Sequence, residues 1–244
     1  MKNVVRLPFR FFVCLKNYGL TYTCLLVLHR LRIISVLHAF EFIFKDISSE
    51  NKIYETSSKI TKDGKDIFFH EIKEIELDHL NFAEGLYSID TLRMHFSKGL
   101  RFFAAFQDDQ VIAVHGVHMM YADLVYINMP NLKLSEKVAY LNCAFTAPHY
   151  RSLLIGTKLR YFLLGCLRTE GIEKVFGVVF VENKKALHWN LQDKFEYWGR
   201  ISYIKYGNKK FWLRCLTNKG RQFFNFLNRS ESFTKSEPVL ETMS

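Results

Sequence analysis

Proline is scarce in this chain of 244 residues, with 4 in all, and cysteine is little better represented, with 5. The cysteines (Cys14, Cys24, Cys143, Cys166 and Cys215) are scattered, odd in number and form no Cys-x-x-Cys pair. That argues against a disulfide framework or a zinc knuckle and suits a reducing compartment. Acidic residues are also in deficit, 24 Asp and Glu against 34 Lys and Arg, for a formal charge of +10. Such a balance favours anionic partners without choosing among nucleic acid, acidic lipid and a phosphorylated cofactor. No internal repeat and no low-complexity tract is present. Long apolar runs are missing too. The longest uncharged stretch near the N-terminus, Asn17 to Leu28, falls short of the ~20 residues a membrane-spanning helix needs. With no small-residue cleavage site after it, neither a spanning helix nor a removable leader is expected.

What the chain does have is apolar and aromatic mass: 49% hydrophobic residues, including 23 Phe and 12 Tyr. That is enough for a substantial core. Four segments are expected. Residues 1–45 form a basic, apolar block that suits helices, resting either on an anionic membrane surface or on the main domain. Residues 46–65 are a polar connection, 66–216 the main domain, and 217–244 a polar tail. Within the main domain, strands are expected at 67–75, on either side of Gln107–Gln110, at 137–145, at 173–181, and as a closing hairpin at 201–206 and 211–216. Two short helices are expected within 76–99, capped by Ser88 or Asp90 and ended by Gly99. Leu159, Phe162, Leu163, Cys166 and Leu167 keep helical spacing over 155–169, Gly171 stops that helix, and a shorter one follows at 183–195.

The stretch TAPHYRSLLIGTKL, residues 146–159, joins a strand to a helix. The first N–H groups of a helix have no intrahelical partner, and with the helix dipole they favour a phosphate. Gly156 removes one side chain from that joint, Arg151 adds a guanidinium and Thr157 a hydroxyl. Pro148, Tyr150, Arg151 and Gly156, followed by Asn183-Lys184-Lys185-Ala186 and Phe195, resemble the GNAT superfamily of acyl-CoA-dependent acyltransferases. The resemblance extends over about residues 66–216. It implies an α/β (α+β) fold, with a mixed, mostly antiparallel central sheet flanked by helices, here with an N-terminal helical extension.

The same resemblance implies an opening between the strands at 137–145 and 173–181. Phe145, Thr146 and Ala147 would pair with the pantetheine arm of acetyl-CoA or another acyl-CoA. Arg151, Ser152, Leu153, Leu154, Ile155, Gly156 and Thr157 would hold the pyrophosphate, and Asn183 would contact the pantetheine. The implied reaction is direct acyl transfer to an amine of a small molecule or an envelope-precursor sugar. Transfer of a long acyl chain to an amino acid, or a degenerate module that binds without catalysis, are the alternatives. The implied place is the cytoplasm, including the inner face of the membrane.

Three positions depart from the family pattern. Leu154 replaces a glycine, Asn190 a tyrosine that protonates the leaving thiolate, and Asn142 a glutamate that acts as base. Amides do not titrate. The base must then come from His115 or His118, Tyr140 or Glu182. His115 and His118 are three apart on a strand and so face opposite sides. That is poor geometry for zinc, and no metal is expected. No nucleic-acid-binding module is recognisable, and Cys143 is expected to be a buried structural thiol.

Overall fold

The structure is a computed structural model that describes residues 6–31, 33, 36–48, 59–62, 65–86, 88–119, 121–124, 129–151, 153–222 and 239–241. In chain order the helices are α1 (Arg6–Arg30), α2 (Ile89–Phe96), α3 (Ile155–Thr169) and α4 (Lys184–Gln192). The strands are β1 (Val36–Asp46), β2 (Lys59–Lys62), β3 (Lys65–Ile72), β4 (Asn81–Phe82), β5 (Leu100–Gln107), β6 (Gln110–His118), β7 (Tyr121–Leu124), β8 (Met129–Lys133), β9 (Val138–Thr146), β10 (Lys174–Phe180), β11 (Glu196–Tyr206), β12 (Lys209–Leu216) and β13 (Val239–Glu241). The chain divides into two compact units. The first comprises 1–43, 124–130 and 178–244, and the second 44–123 and 131–177. These units cut across the four consecutive segments expected from composition.

In the second unit the strands lie in the order β2-β3-β5-β6-β9-β10. All neighbours are antiparallel except β9 and β10, and β4 adds a short parallel pair to β6. The β5–β6 hairpin turns at Asp108 and Asp109, both with positive φ, which short acidic side chains tolerate. Alternation along β5 sends successive residues to opposite faces. Phe102 packs with Phe96 of α2 at a ring separation of 5.2 Å, while Phe103 meets Phe162 of α3 at 6.2 Å. A helix therefore covers each face. Ser88 caps α2, accepting the Thr91 N–H. On α3 the buried residues Ile155, Leu159, Leu163 and Leu167 recur every fourth position, so one stripe faces the sheet. Deep burial of each such side chain stabilises the fold by roughly 1.5–3 kcal/mol.

In the first unit β11 and β12 form an antiparallel hairpin, and β13 pairs parallel to β12. α1 is interrupted at Gly19, whose φ of 81° and ψ of 167° lie outside helical values and suit a residue without Cβ. Beyond the break, the Tyr22 hydroxyl donates to the Glu182 carboxylate at 2.5 Å, and the Arg200 guanidinium lies 5.8 Å from the centre of the Tyr22 ring. This half of α1 is thus docked on its own unit. Among the described residues no helix is long and apolar enough to cross a membrane.

Three expectations about elements need correcting. Of the two short helices expected within 76–99 only α2 is an α-helix, the earlier stretch being a 3-10 turn at Glu74–His79 followed by β4. The basic N-terminal block is helical only as far as Arg30. Residues 36–46 are a strand, because Phe40, Phe42 and Phe44 alternate with other residues at a period of two. The polar connection is also partly ordered: Lys59–Lys62 pairs with Lys65–Phe68 as an edge hairpin. The ribbon strands β7 and β8 had no counterpart in the sequence reading.

Candidate functional site

The site is built on β9, whose two ends behave differently. From Val138 to Leu141 it pairs with β10 in a parallel ladder running from Lys174↔Val138 to Gly177↔Leu141 and stopping there, and Tyr140 and Leu141 pair with β6 as well. On its other edge the antiparallel register with β6 shifts between Val114↔Phe145 and Gly116↔Asn142. One residue of β6, His115, thus opposes two of β9, Cys143 and Ala144, which is a β-bulge. The extra residue is Cys143, in the left-handed region with φ 52°. Asn142 supports it, its Oδ1 accepting the Cys143 N–H at 2.8 Å. Opposite, a Cβ on Gly116 would come within 3.2 Å of the Asn142 carbonyl oxygen and 3.0 Å of Leu100 and Phe102 side chains. Glycine lets the strands approach there.

The bulge changes the parity of the strand. Tyr140 lies opposite His118, and after the bulge Phe145 lies opposite Val114. Cys143 and Phe145 pack against the same cluster as Leu92 of α2. The α2 face therefore gathers Tyr140, Cys143 and Phe145, and His95 of α2 brings its Nε2 to 3.8 Å from the Cys143 Sγ. His118, 1% exposed, stacks on Tyr140 at 6.0 Å, and Tyr140 stacks on Phe176 at 5.0 Å. These two predicted candidates are brought together, but as a stack of buried rings.

His115 belongs to the other face. It lies opposite Phe103, is 4% exposed, and has its pKa pushed down to about 3. Burial is the main cause and the nearby Arg160 guanidinium the second, only weakly opposed by the Gly116 carbonyl. Arg160 is itself 1% exposed. A neutral imidazole in that surround does not take up a proton near neutral pH. Glu182 lies in the first unit, engaged by Tyr22.

The joint after β9 has its own geometry. Ala147 donates its N–H to the Ile112 carbonyl, Pro148–Tyr150 form a short 3-10 turn, and α3 begins at Ile155. Arg151 folds back onto the strand it follows. Its Nε donates to the Thr146 carbonyl at 3.0 Å and its guanidinium lies 5.2 Å from the centre of the Phe145 ring. Leu153 is half-buried. Leu154 sits at the helix N-cap with φ 60°, 63% exposed. This left-handed geometry favours glycine and costs other residues roughly 1–2 kcal/mol. Ile155 is fully buried, whereas Gly156 and Thr157 are half-buried in the first turn. That turn contains no acidic residue, and no side-chain cap is seen among the described residues. Ser152 lies outside the described residues.

The amides at the departing positions are tied to backbone. Asn190 is buried and donates Nδ2–H to the Ala186 carbonyl at 2.7 Å. Asn183 caps α4, accepting the Ala186 N–H at 3.2 Å, so its carbonyl oxygen serves the helix. Among the described residues no group of three His, Cys, Asp or Glu could hold a metal ion. His95 was absent from the sequence-based candidates, and only the fold brings it to the bulge.

Residues 68–190 match the model of the acetyltransferase (GNAT) family. The chain belongs to this family. Acyl transfer with an acyl-CoA co-substrate is the family's general chemistry. No curated protein matches the sequence. Among solved structures, a functionally unknown conserved protein from Staphylococcus epidermidis is 12% identical, covering 74% of this chain and 67% of its own, with a TM-score of 0.48. A protein from Novosphingobium aromaticivorans, described as a candidate GNAT acetyltransferase, is 10% identical over 70% of this chain and 65% of its own, with a TM-score of 0.45. An aminoglycoside acetyltransferase from an uncultured soil metagenomic sample, in complex with trehalose, is 18% identical over 52% of this chain and 87% of its own, with a TM-score of 0.37. Family membership rests on the family model. In this GNAT chain the bulged strand and the joint that follows it both fall inside the matched residues.

Proposed function

We propose that this protein transfers an acyl group, acetyl or longer, from acyl-CoA to an amine of a small molecule, and that the β9–α3 joint holds the CoA pyrophosphate. The observation that carries this reading is the fold-back of Arg151 onto Thr146 at the start of a 15-residue helix with no acid in its first turn. A guanidinium and a helix N-terminus then belong to the same joint, a combination that suits a diphosphate. Leu154 narrows the approach, so the diphosphate lies beside its side chain. The pantetheine would run along β9 from Thr146 towards the bulge, on the edge whose ladder with β10 ends at Leu141.

A second reading is a non-catalytic binding module, and the hydrogen bonds of Asn142 and Asn190 to backbone favour it. Calorimetric titration with acetyl-CoA and a long-chain acyl-CoA tests the first reading, and saturable binding of at least one is expected. Absence of binding by both at millimolar concentration removes the enzyme reading. Binding without CoA release in the presence of a panel of amines leaves the module.

A further inference from the structure

We propose that a cavity between the break in α1 and the β11–β12 hairpin is a binding site for a small organic carboxylate. The register Arg200↔Cys215 and Ser202↔Leu213 puts these four side chains on one face of the hairpin. Residues 19–22 of α1 and Tyr197 complete the wall, around a volume of about 230 Å³. Every lining residue belongs to the first unit. Leu20, Thr21, Tyr197 and Cys215 are exposed and form the mouth. Tyr22 and Ser202, 4% and 3% exposed, form the floor.

Three features select an anion. The break at Gly19 starts a new helix at 20–30. Its first N–H groups have no partner within it, and with the dipole they favour negative charge. The second is Ser202, a buried residue of the floor whose hydroxyl has no hydrogen-bond partner among the described residues. Such a group is costly to leave unmade, and a ligand oxygen in the cavity would satisfy it. The third is charge: Arg200 is part of the lining, and no Asp or Glu is among the described residues that form it. The floor is already in place. The Tyr22 hydroxyl holds Glu182, and the Tyr22 ring lies 5.8 Å from the Arg200 guanidinium, so little ordering is left for the ligand to bring about. Leu20, Leu213 and the Tyr197 ring make the rest of the wall apolar, which suits a hydrocarbon body beside the charge. The volume lies below the roughly 300–1,000 Å³ of sites for drug-sized ligands. It fits a short aliphatic or aromatic monocarboxylate and is too small for a nucleotide.

The full chain is titrated by calorimetry with 3-methylbutanoate, benzoate and phenylacetate, with their amides, and with inorganic phosphate. Expected is saturable binding of at least one carboxylate, about 10-fold or more tighter than its amide and than phosphate. Arg200→Gln and Ser202→Val are each expected to weaken that binding about 10-fold with the circular dichroism spectrum unchanged. Alkylation of the wild type by iodoacetamide locates the ligand without any variant. At saturation the exposed thiol of Cys215, in the wall, is expected to be protected, while Cys24, exposed on α1 outside the lining, keeps its rate. No binding by any of the three acids at millimolar concentration overturns the proposal. So does equal affinity for acid and amide, or phosphate bound as tightly. Protection of Cys24 alone, or of both thiols equally, puts the ligand elsewhere and also overturns it. None of these outcomes bears on acyl-CoA binding, so the two readings fail separately.

Discussion

The two halves of β9 are made of similar residues and do different work. Val138–Leu141 is buried, laddered to β10 throughout and to β6 at Tyr140 and Leu141, and stacked through Tyr140 between His118 and Phe176. Asn142–Thr146 is half-exposed or exposed, bulged at Cys143, and ends on a carbonyl that receives Arg151. In the first half all four side chains are buried. In the second, one extra residue interrupts the ladder, the His95 imidazole reaches its thiol, and the Arg151 guanidinium lies over the Phe145 ring. A single strand can thus be anchored at one end and leave the other for a ligand.

The contrast can be broken at either end. Phe176→Ala, in the fully buried layer beside Tyr140, is expected to cost about 3–5 kcal/mol, read as a lower denaturant midpoint. A loss below about 1 kcal/mol would mean that the laddered half is not the anchor. At the other end, Arg151→Glu is expected to weaken acyl-CoA binding about 100-fold with little change in thermal midpoint. Unchanged affinity would move the diphosphate elsewhere.

The dry face of β6 predicts a pH effect. His115 has a folded pKa of about 3, below its ordinary 6.5, so the unfolded chain binds its proton first as pH falls. The contribution of this group is complete above about pH 6.5, shrinks as pH falls below that, and is lost by about pH 3. The slope reaches at most about 1.4 kcal/mol per pH unit. Urea midpoints of the wild type and His115→Asn at pH 7.5 and 4.5 check it, the variant being expected to show the smaller drop. The smallest effect is expected at Leu154→Gly. Release from the left-handed strain is offset by the freer unfolded chain, for a gain of about 1 kcal/mol, with CoA affinity kept or improved. A loss of stability would show that the exposed Leu154 side chain has a partner.

Much of this was legible in the sequence. The 15-residue helix at 155–169 matches its periodicity, Ser88 caps α2, Gly99 and Gly171 sit at positive φ just past their helices, and the β5–β6 hairpin turns where Asp108-Asp109 marked it. The motif around Arg151 and the Asn183 segment pointed to the family that the matched residues bear out. Hidden were the strand at 36–46, masked by the basic composition around it, and the bulge, which leaves no mark in a run as apolar as VAYLNCAFT. Alternation alone would put Thr146 with Tyr140 and Asn142. The inserted Cys143 puts Phe145 there instead.

By itself the sequence determined what depends on neighbours along the chain: helix periods, caps, turns, and a basic Gly-containing joint between a strand and a helix. Only the tertiary structure decided what depends on neighbours across it. It sent His115 under α3 beside Arg160, closed His118 and Tyr140 into a stack, and set His95 against Cys143. Burial and pairing between residues 48 positions apart are fixed by register and packing, and no local pattern encodes them.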